Sequence, residues 1–212
     1  MHLDKIFYTP FLSHKFPDNT ELNKNLIDEI EQEKLLAPDG DTRSFASTPN
    51  NTWQSNTKMQ HTYHSFRALT RQIDDLLLEE EMQVSTCWAN LIHGAGGFSF
   101  PHTHNSKKNE IRGSVSTKMT AVYFPKGLVE KDNFMKSRYS KDEGDLILFS
   151  PNFAYKNSHT DVLSISVVES LLVVFPNNIT HMVKPMQTNT KRYSIVCTFS
   201  TPKQKGKYES LF

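Results

Sequence analysis

From residue 84 onward the chain is cut into short apolar runs, and that punctuation limits what it can become. The runs are Val84–Ile92, Thr117–Phe124, Asp145–Phe149, Ser164–Val168, Ser170–Phe175 and Arg192–Phe199. They are rich in Val, Ile, Phe and Tyr, which suit a pleated, half-buried surface. Turn signals part them at Gly94-Ala-Gly-Gly, Pro125-Lys-Gly, Glu143-Gly, Pro151-Asn and Pro176-Asn-Asn. Many short strands with turns between them predict a mainly β sandwich, barrel or jelly roll. The charged, turn-like stretch Lys126–Lys141 reads as an exposed loop.

Residues 1–85 follow the helical period instead. Asn19 or Thr20 caps a helix running to about Leu36, with Leu22, Leu26, Ile27 and Ile30 on one stripe, and Ala37-Pro-Asp-Gly stops it. A second amphipathic helix spans about Ser65 to Glu81, with Phe66, Leu69, Ile73, Leu76 and Leu77 facing inward. Between them, residues 38–62 read as a long loop around Trp53. Both helices should pack on the outer face of the sheet. The expected organisation is one domain over 1–212, with a helical part at 1–85 and a β core at 86–200.

At 212 residues a single domain can bury a large core. With 24 basic against 23 acidic residues, the net charge of +1 argues against duplex nucleic acid and against an anionic membrane surface. No stretch approaches the roughly 18 apolar residues of a membrane helix, and Met1-His-Leu-Asp-Lys lacks the apolar core of a signal peptide. Cys87 and Cys197 are the only cysteines, both in apolar strand-like runs, and read as buried free thiols rather than a disulfide. A cytoplasmic setting follows.

The chemistry is concentrated in Pro101-His102-Thr103-His104. His181 follows 79 residues after His102, and Arg192 lies 11 residues beyond that. Side chains on an extended segment repeat with period two, so His102 and His104 point to one side and can grip one metal ion. Arg192 opens the last long strand, and its planar fork suits a carboxylate. Ser194, two residues on, shares its face. A histidine-held metal beside an arginine fit for a dicarboxylate describes an iron oxygenase site.

These pieces, together with Asn51-Thr-Trp-Gln-Ser55, Trp88-Ala-Asn90, Thr120-Ala-Val-Tyr123, Gly144-Asp-Leu-Ile-Leu-Phe149 and Leu172-Val-Val-Phe-Pro176, occur in an order that resembles the iron(II)- and 2-oxoglutarate-dependent dioxygenases. The likeness is nearest to small bacterial and phage members of the prolyl-hydroxylase-like branch. It implies a double-stranded β-helix (jelly roll) with N-terminal helices on its outer face. It also implies a hydroxylase that consumes 2-oxoglutarate and O2 and releases succinate and CO2. Its metal ligands would be His102, His104 and His181. Arg192 and Ser194 would hold the distal carboxylate of 2-oxoglutarate, with Tyr123 and Asn90 as further cosubstrate residues and Trp53 on the substrate side. The substrate, small or peptidyl, and the oligomeric state stay open.

The chain departs from the family pattern at His104, where the usual residue is Asp. Either the imidazole ligates, leaving the site one charge more positive and less selective against zinc or nickel, or a water or another carboxylate takes that place. His159-Thr-Asp161 is a literal His-x-Asp, but only 20 residues separate Asp161 from His181, too few for the intervening strands, and it reads as a solvated loop. His61, His64 and His93 read as surface or turn histidines. Two other readings remain: a cupin-like metal or small-molecule binder without turnover, and an iron enzyme such as a thiol dioxygenase that does not use 2-oxoglutarate.

Overall fold

The computed structural model describes residues 2–6, 9–41, 51–78, 82–104, 119–130, 133–136, 141–150 and 162–200. Two antiparallel sheets dominate. The larger contains β1 (His2–Ile6), β2 (Thr9–Lys15), β3 (Thr52–Gln54), β4 (Gln83–His93), β6 (Met119–Phe124), β10 (Leu171–Pro176) and β12 (Lys191–Ser200), in the order β1-β2-β10-β6-β12-β4-β3. The smaller contains β5 (Ser99–His102), β7 (Met135–Lys136), β8 (Leu146–Phe149), β9 (Val162–Ile165) and β11 (His181–Val183), in the order β5-β11-β8-β9-β7.

The large sheet is covered on both faces, so its central strands are apolar throughout rather than alternating. Phe11, Trp88, Val122, Phe124, Val173, Phe175 and Val196 point towards the small sheet and meet Leu146, Leu148, Leu163 and Ile165. Ala89, Leu91, Tyr123, Leu172, Val174, Tyr193 and Ile195 point the other way, onto the helices α1 (Thr20–Leu36) and α3 (His64–Leu76). Leu26 and Ile30 of α1 and Phe66, Leu69 and Ile73 of α3 are fully buried there. Both expected helices therefore sit where their apolar stripes required.

Four expectations need correction. Residues 1–85 are not purely helical, because β1 and β2 extend the large sheet by pairing onto β10. That pairing satisfies an otherwise open strand edge, a demand set by the rest of the chain. The 38–62 loop contains β3 and the one-turn helix α2 (Met59–Thr62), both too short to show a period. The Lys126–Lys141 loop carries β7, a two-residue strand on β9. The fourth strand run, expected at Ser164–Val168, shifts to Val162–Ile165, and Val167 and Val168 lie beyond its end. Residues 79–81 and 117–118, at the ends of an expected helix and strand, lie outside the described residues, as does His159-Thr-Asp161. No helix among the described residues is long and apolar enough to cross a membrane.

Candidate metal centre

Strand pairing, not sequence proximity, assembles the histidines. His102 ends β5 and is the register partner of His181, which opens β11. His104 lies two residues past β5, anchored where its backbone N–H donates to the Asn177 carbonyl. The metal-binding ring nitrogens of all three lie within 4.8 Å of one another, and among the described residues no carboxylate joins the cluster. The Nε2 atoms of His104 and His181 are 3.1 Å apart.

Backbone carbonyls set the ring orientation. The Nδ1 of His102 lies 2.8 Å from the Phe100 oxygen, and that of His181 lies 3.0 Å from the Ile179 oxygen. A carbonyl only accepts, so Nδ1 carries the proton in both rings and the Nε2 lone pairs face the cluster. Removal from water, then the neighbouring His102, push the His104 pKa down to about 3. His181 is lowered well below its ordinary value by burial, then by His102 and His104. Imidazole lone pairs that converge in this way, with His104 and His181 held neutral by burial, are what a divalent metal of borderline softness binds. The donor set fits iron(II), and fits zinc and nickel as well.

The wall beside the cluster comes from β4, β6 and β12. Register places Arg192 opposite Ile92, Ser194 opposite Asn90, and Val196 opposite both Trp88 and Val122. These residues and the three histidines line one cavity of about 660 Å³. Arg192 is 1% exposed. Its Nε donates to the Gly144 carbonyl at 2.7 Å and its Nη1 to the Ser194 hydroxyl at 3.0 Å, while its guanidinium lies 5.3 Å from the centre of the Phe124 ring. Among the described residues, Nη2 is buried with no partner. Burial lowers the Arg192 pKa to about 10, opposed by the charge of Asp145, so the group stays cationic at neutral pH. A buried cation with an unmet N–H is a place made for an anionic oxygen.

Of the residues singled out from the sequence, His102, His104, His181, Arg192, Ser194 and Asn90 meet in this cavity. Tyr123 does not. One residue out of step with Val122, it faces the helix layer, where its hydroxyl donates to Asn23 Oδ1 at 2.6 Å and accepts from Asn19 Nδ2. Trp53 borders the cavity, but it is buried in the helix-side core with its indole N–H donated to the Ala37 carbonyl. Its neighbours Thr52 and Gln54 also line the cavity. His61 and His64 are exposed and His93 is half-buried, none of them in the cluster.

Sequence reasoning quoted Trp88, Gly144 and Asp145 within its motifs but gave them no role. Trp88 packs on His104 with ring centres 5.4 Å apart. Its signal was parity, since it lies two residues from Asn90 on the same strand. Gly144 (φ +67°) lets the turn press against Arg192, and a Cβ there would come within 3.2 Å of the Arg192 Cδ. Asp145, 1% exposed, supplies the charge opposite Arg192.

No family model and no curated protein matches the chain. Solved structures do. A Pseudomonas putida prolyl-4-hydroxylase aligns at TM-score 0.60 and 15% identity, over 90% of this chain and 91% of its own. A Trichoplax adhaerens prolyl hydroxylase, in complex with a hypoxia inducible factor peptide fragment, aligns at 0.63 and 14%, over 90% and 83%. HygX from Streptomyces hygroscopicus, with nickel and 2-oxoglutarate bound, aligns at 0.61 and 11%, over 92% and 84%. At these identities the likeness is one of fold, and the fold is that of the prolyl-hydroxylase-like oxygenases.

Proposed function

We propose that this chain, folded as those oxygenases are, is a non-haem iron(II) hydroxylase that consumes 2-oxoglutarate. Its two sheets would form a double-stranded β-helix, and 1–212 would act as one catalytic domain. The observation that carries the reading is the Nη2 of Arg192, without a partner among the described residues, in the cavity that holds three converging imidazoles. A protein that only stored a metal has no use for a buried cation with an unmet N–H. A keto diacid needs both features, a metal for its keto-acid end and a cation for its far carboxylate.

His102, His104 and His181 would hold iron(II), His104 standing where the wider family has an aspartate. When bound, iron supplies the redox chemistry by which O2, 2-oxoglutarate and a substrate C–H become succinate, CO2 and a hydroxylated product. The chain supplies placement. Arg192 fixes the distal carboxylate through Nη2. Ser194 accepts from Nη1, which leaves its own hydroxyl proton to donate to the same carboxylate. Asn90 stands across the strand pair from Ser194 and flanks that anion. Trp88, Val122, Leu146 and Val196 keep the walls apolar, which strengthens every charged contact inside.

The cavity volume accommodates a small molecule or a peptide side chain. One structural neighbour was solved with a peptide fragment and another with hygromycin B, and we leave both substrate classes open for this protein. Two free thiols agree with a cytoplasmic setting.

Anaerobic calorimetry tests the reading. Metal-free protein is titrated with iron(II), then with 2-oxoglutarate, and O2 is admitted to measure succinate. Metal-dependent 2-oxoglutarate binding followed by succinate release is the expected result. The second reading, a three-histidine metal binder, is favoured by a donor set that is all imidazole among the described residues. It would be established by tight metal binding with no 2-oxoglutarate signal at all.

A further inference from the structure

We propose that Cys87 and Cys197 are a redox-modification site, a dithiol that peroxide converts to a disulfide across β4 and β12. The two residues face each other directly in the strand register. The Cys197 thiol donates to the Cys87 sulfur at 3.3 Å. Both thiols are free, and both residues are at most 1% exposed.

The hydrogen-bond pattern shows why this pair can close. The backbone N–H of Cys87 donates to the Thr57 carbonyl, away from β12. In a strand the N–H and C=O of one residue point to the same side, so Cys87 and Cys197 form a non-hydrogen-bonded pair. Such pairs bring Cα atoms to about 4.5 Å and side chains closest together. That spacing falls inside the roughly 4.4–6.8 Å range that disulfides span. The register thus does most of what closure requires, and the sulfurs need only a small further approach.

The pair lies on the helix-side face, among Met59, Ala121 and Phe199, away from the histidines. Its sequence neighbours Trp88 and Val196 point the other way, into the cavity. Oxidation here touches no metal ligand. It staples together the two strands that carry Asn90 and Trp88 on one side and Arg192 and Ser194 on the other.

The chemistry balances with one molecule of hydrogen peroxide. One sulfur, as thiolate, attacks an oxygen, so an S–O bond forms, the O–O bond breaks and the departing oxygen takes a proton to leave as water. The second sulfur then displaces the hydroxyl from the first, which also leaves as water with the remaining thiol proton. Two thiols lose two electrons and the peroxide gains them. Burial raises the Cys87 thiol well above its ordinary pKa, with the neighbouring Cys197 adding to the rise, so the reaction waits on local opening of the strand pair. The same burial shields the finished bond from bulky thiols.

The test uses reduced, metal-free full-length protein, exposed to hydrogen peroxide while folded, then denatured and labelled with a maleimide. Since these are the only cysteines, assignment is unambiguous. Loss of both labelling sites, a Cys87–Cys197 linked peptide in a non-reducing digest, and recovery by dithiothreitol are expected. Closing a segment 110 residues apart should also raise the thermal midpoint by roughly 5–15 °C. The Cys197→Ala variant should instead accumulate oxygen adducts on Cys87. Two thiols still labelled, a covalent dimer, or over-oxidised single cysteines in the wild-type protein would each overturn the proposal, whether or not the variant folds.

Discussion

Arg192→Lys is the substitution that separates the roles of this side chain. Arginine here makes two bonds within the protein, to Gly144 and Ser194, and keeps Nη2 for something else. Lysine retains the positive charge beside Asp145 but has no fork with which to make the third contact. Alanine would be a poorer probe, because it removes the charge together with the fork and empties the space that a fully buried side chain fills. A hydrogen bond between charged partners is worth about 1.5–3 kcal/mol. At about 1.4 kcal/mol per tenfold, 2-oxoglutarate should bind roughly 10- to 150-fold more weakly. Metal affinity should not move, since His102 and His181 sit on β5 and β11, His104 just past β5, and Arg192 on β12. The assay is anaerobic calorimetry of metal-loaded wild type and variant, with a urea midpoint for each to confirm the fold. A dissociation constant within twofold of wild type would refute the anchoring role. A parallel loss of metal affinity would show that Arg192 acts through the structure instead.

Three further outcomes follow from the same geometry. Gly144→Ala places a Cβ at φ +67° with the Met186 sulfur at 2.7 Å, and should lower stability by about 1–2 kcal/mol in urea unfolding and weaken 2-oxoglutarate more than metal. Tyr123→Phe should cost about 1–3 kcal/mol by stranding Asn23 Oδ1, yet leave 2-oxoglutarate affinity unchanged in calorimetry, because the hydroxyl belongs to the helix layer. Metal-free protein should lose stability as pH falls from 7 towards 5, read from its urea midpoint. The unfolded imidazoles titrate near about 6.5, whereas folded His104 and His181 stay neutral to much lower pH, so the unfolded chain takes up protons that the native one refuses. A midpoint that is flat or rises over that range contradicts the burial of these rings.

The sequence carried the parts of this protein that local chemistry controls. The two helical stripes, the run of short strands from residue 84 and the period-two pair His102 and His104 were all readable, because each depends on spacing along one segment. The grouping of Arg192 with Ser194 was readable for the same reason. Tyr123 shows the limit. Its strand was correctly identified, but the sheet is apolar on both faces, so alternation does not say which face holds the cavity, and it went to the wrong side. Trp53 sits between the two outcomes, lining the cavity beside Thr52 and Gln54 while its ring packs in the helix-side core and its indole N–H goes to the Ala37 carbonyl.

What only the tertiary structure decided is which distant positions meet. The pairing of His102 with His181 brings the cluster together across 79 residues, and it depends on β11 lying between β5 and β8. The addition of β1 and β2 depends on an open edge of β10. The approach of Cys87 to Cys197 depends on the register of β4 against β12. Asp145 became meaningful only when Arg192 was found buried beside it. Backbone hydrogen bonding makes strands from local sequence, but their register is set by the burial of whole faces at once. That burial belongs to the complete fold and to no single segment of it.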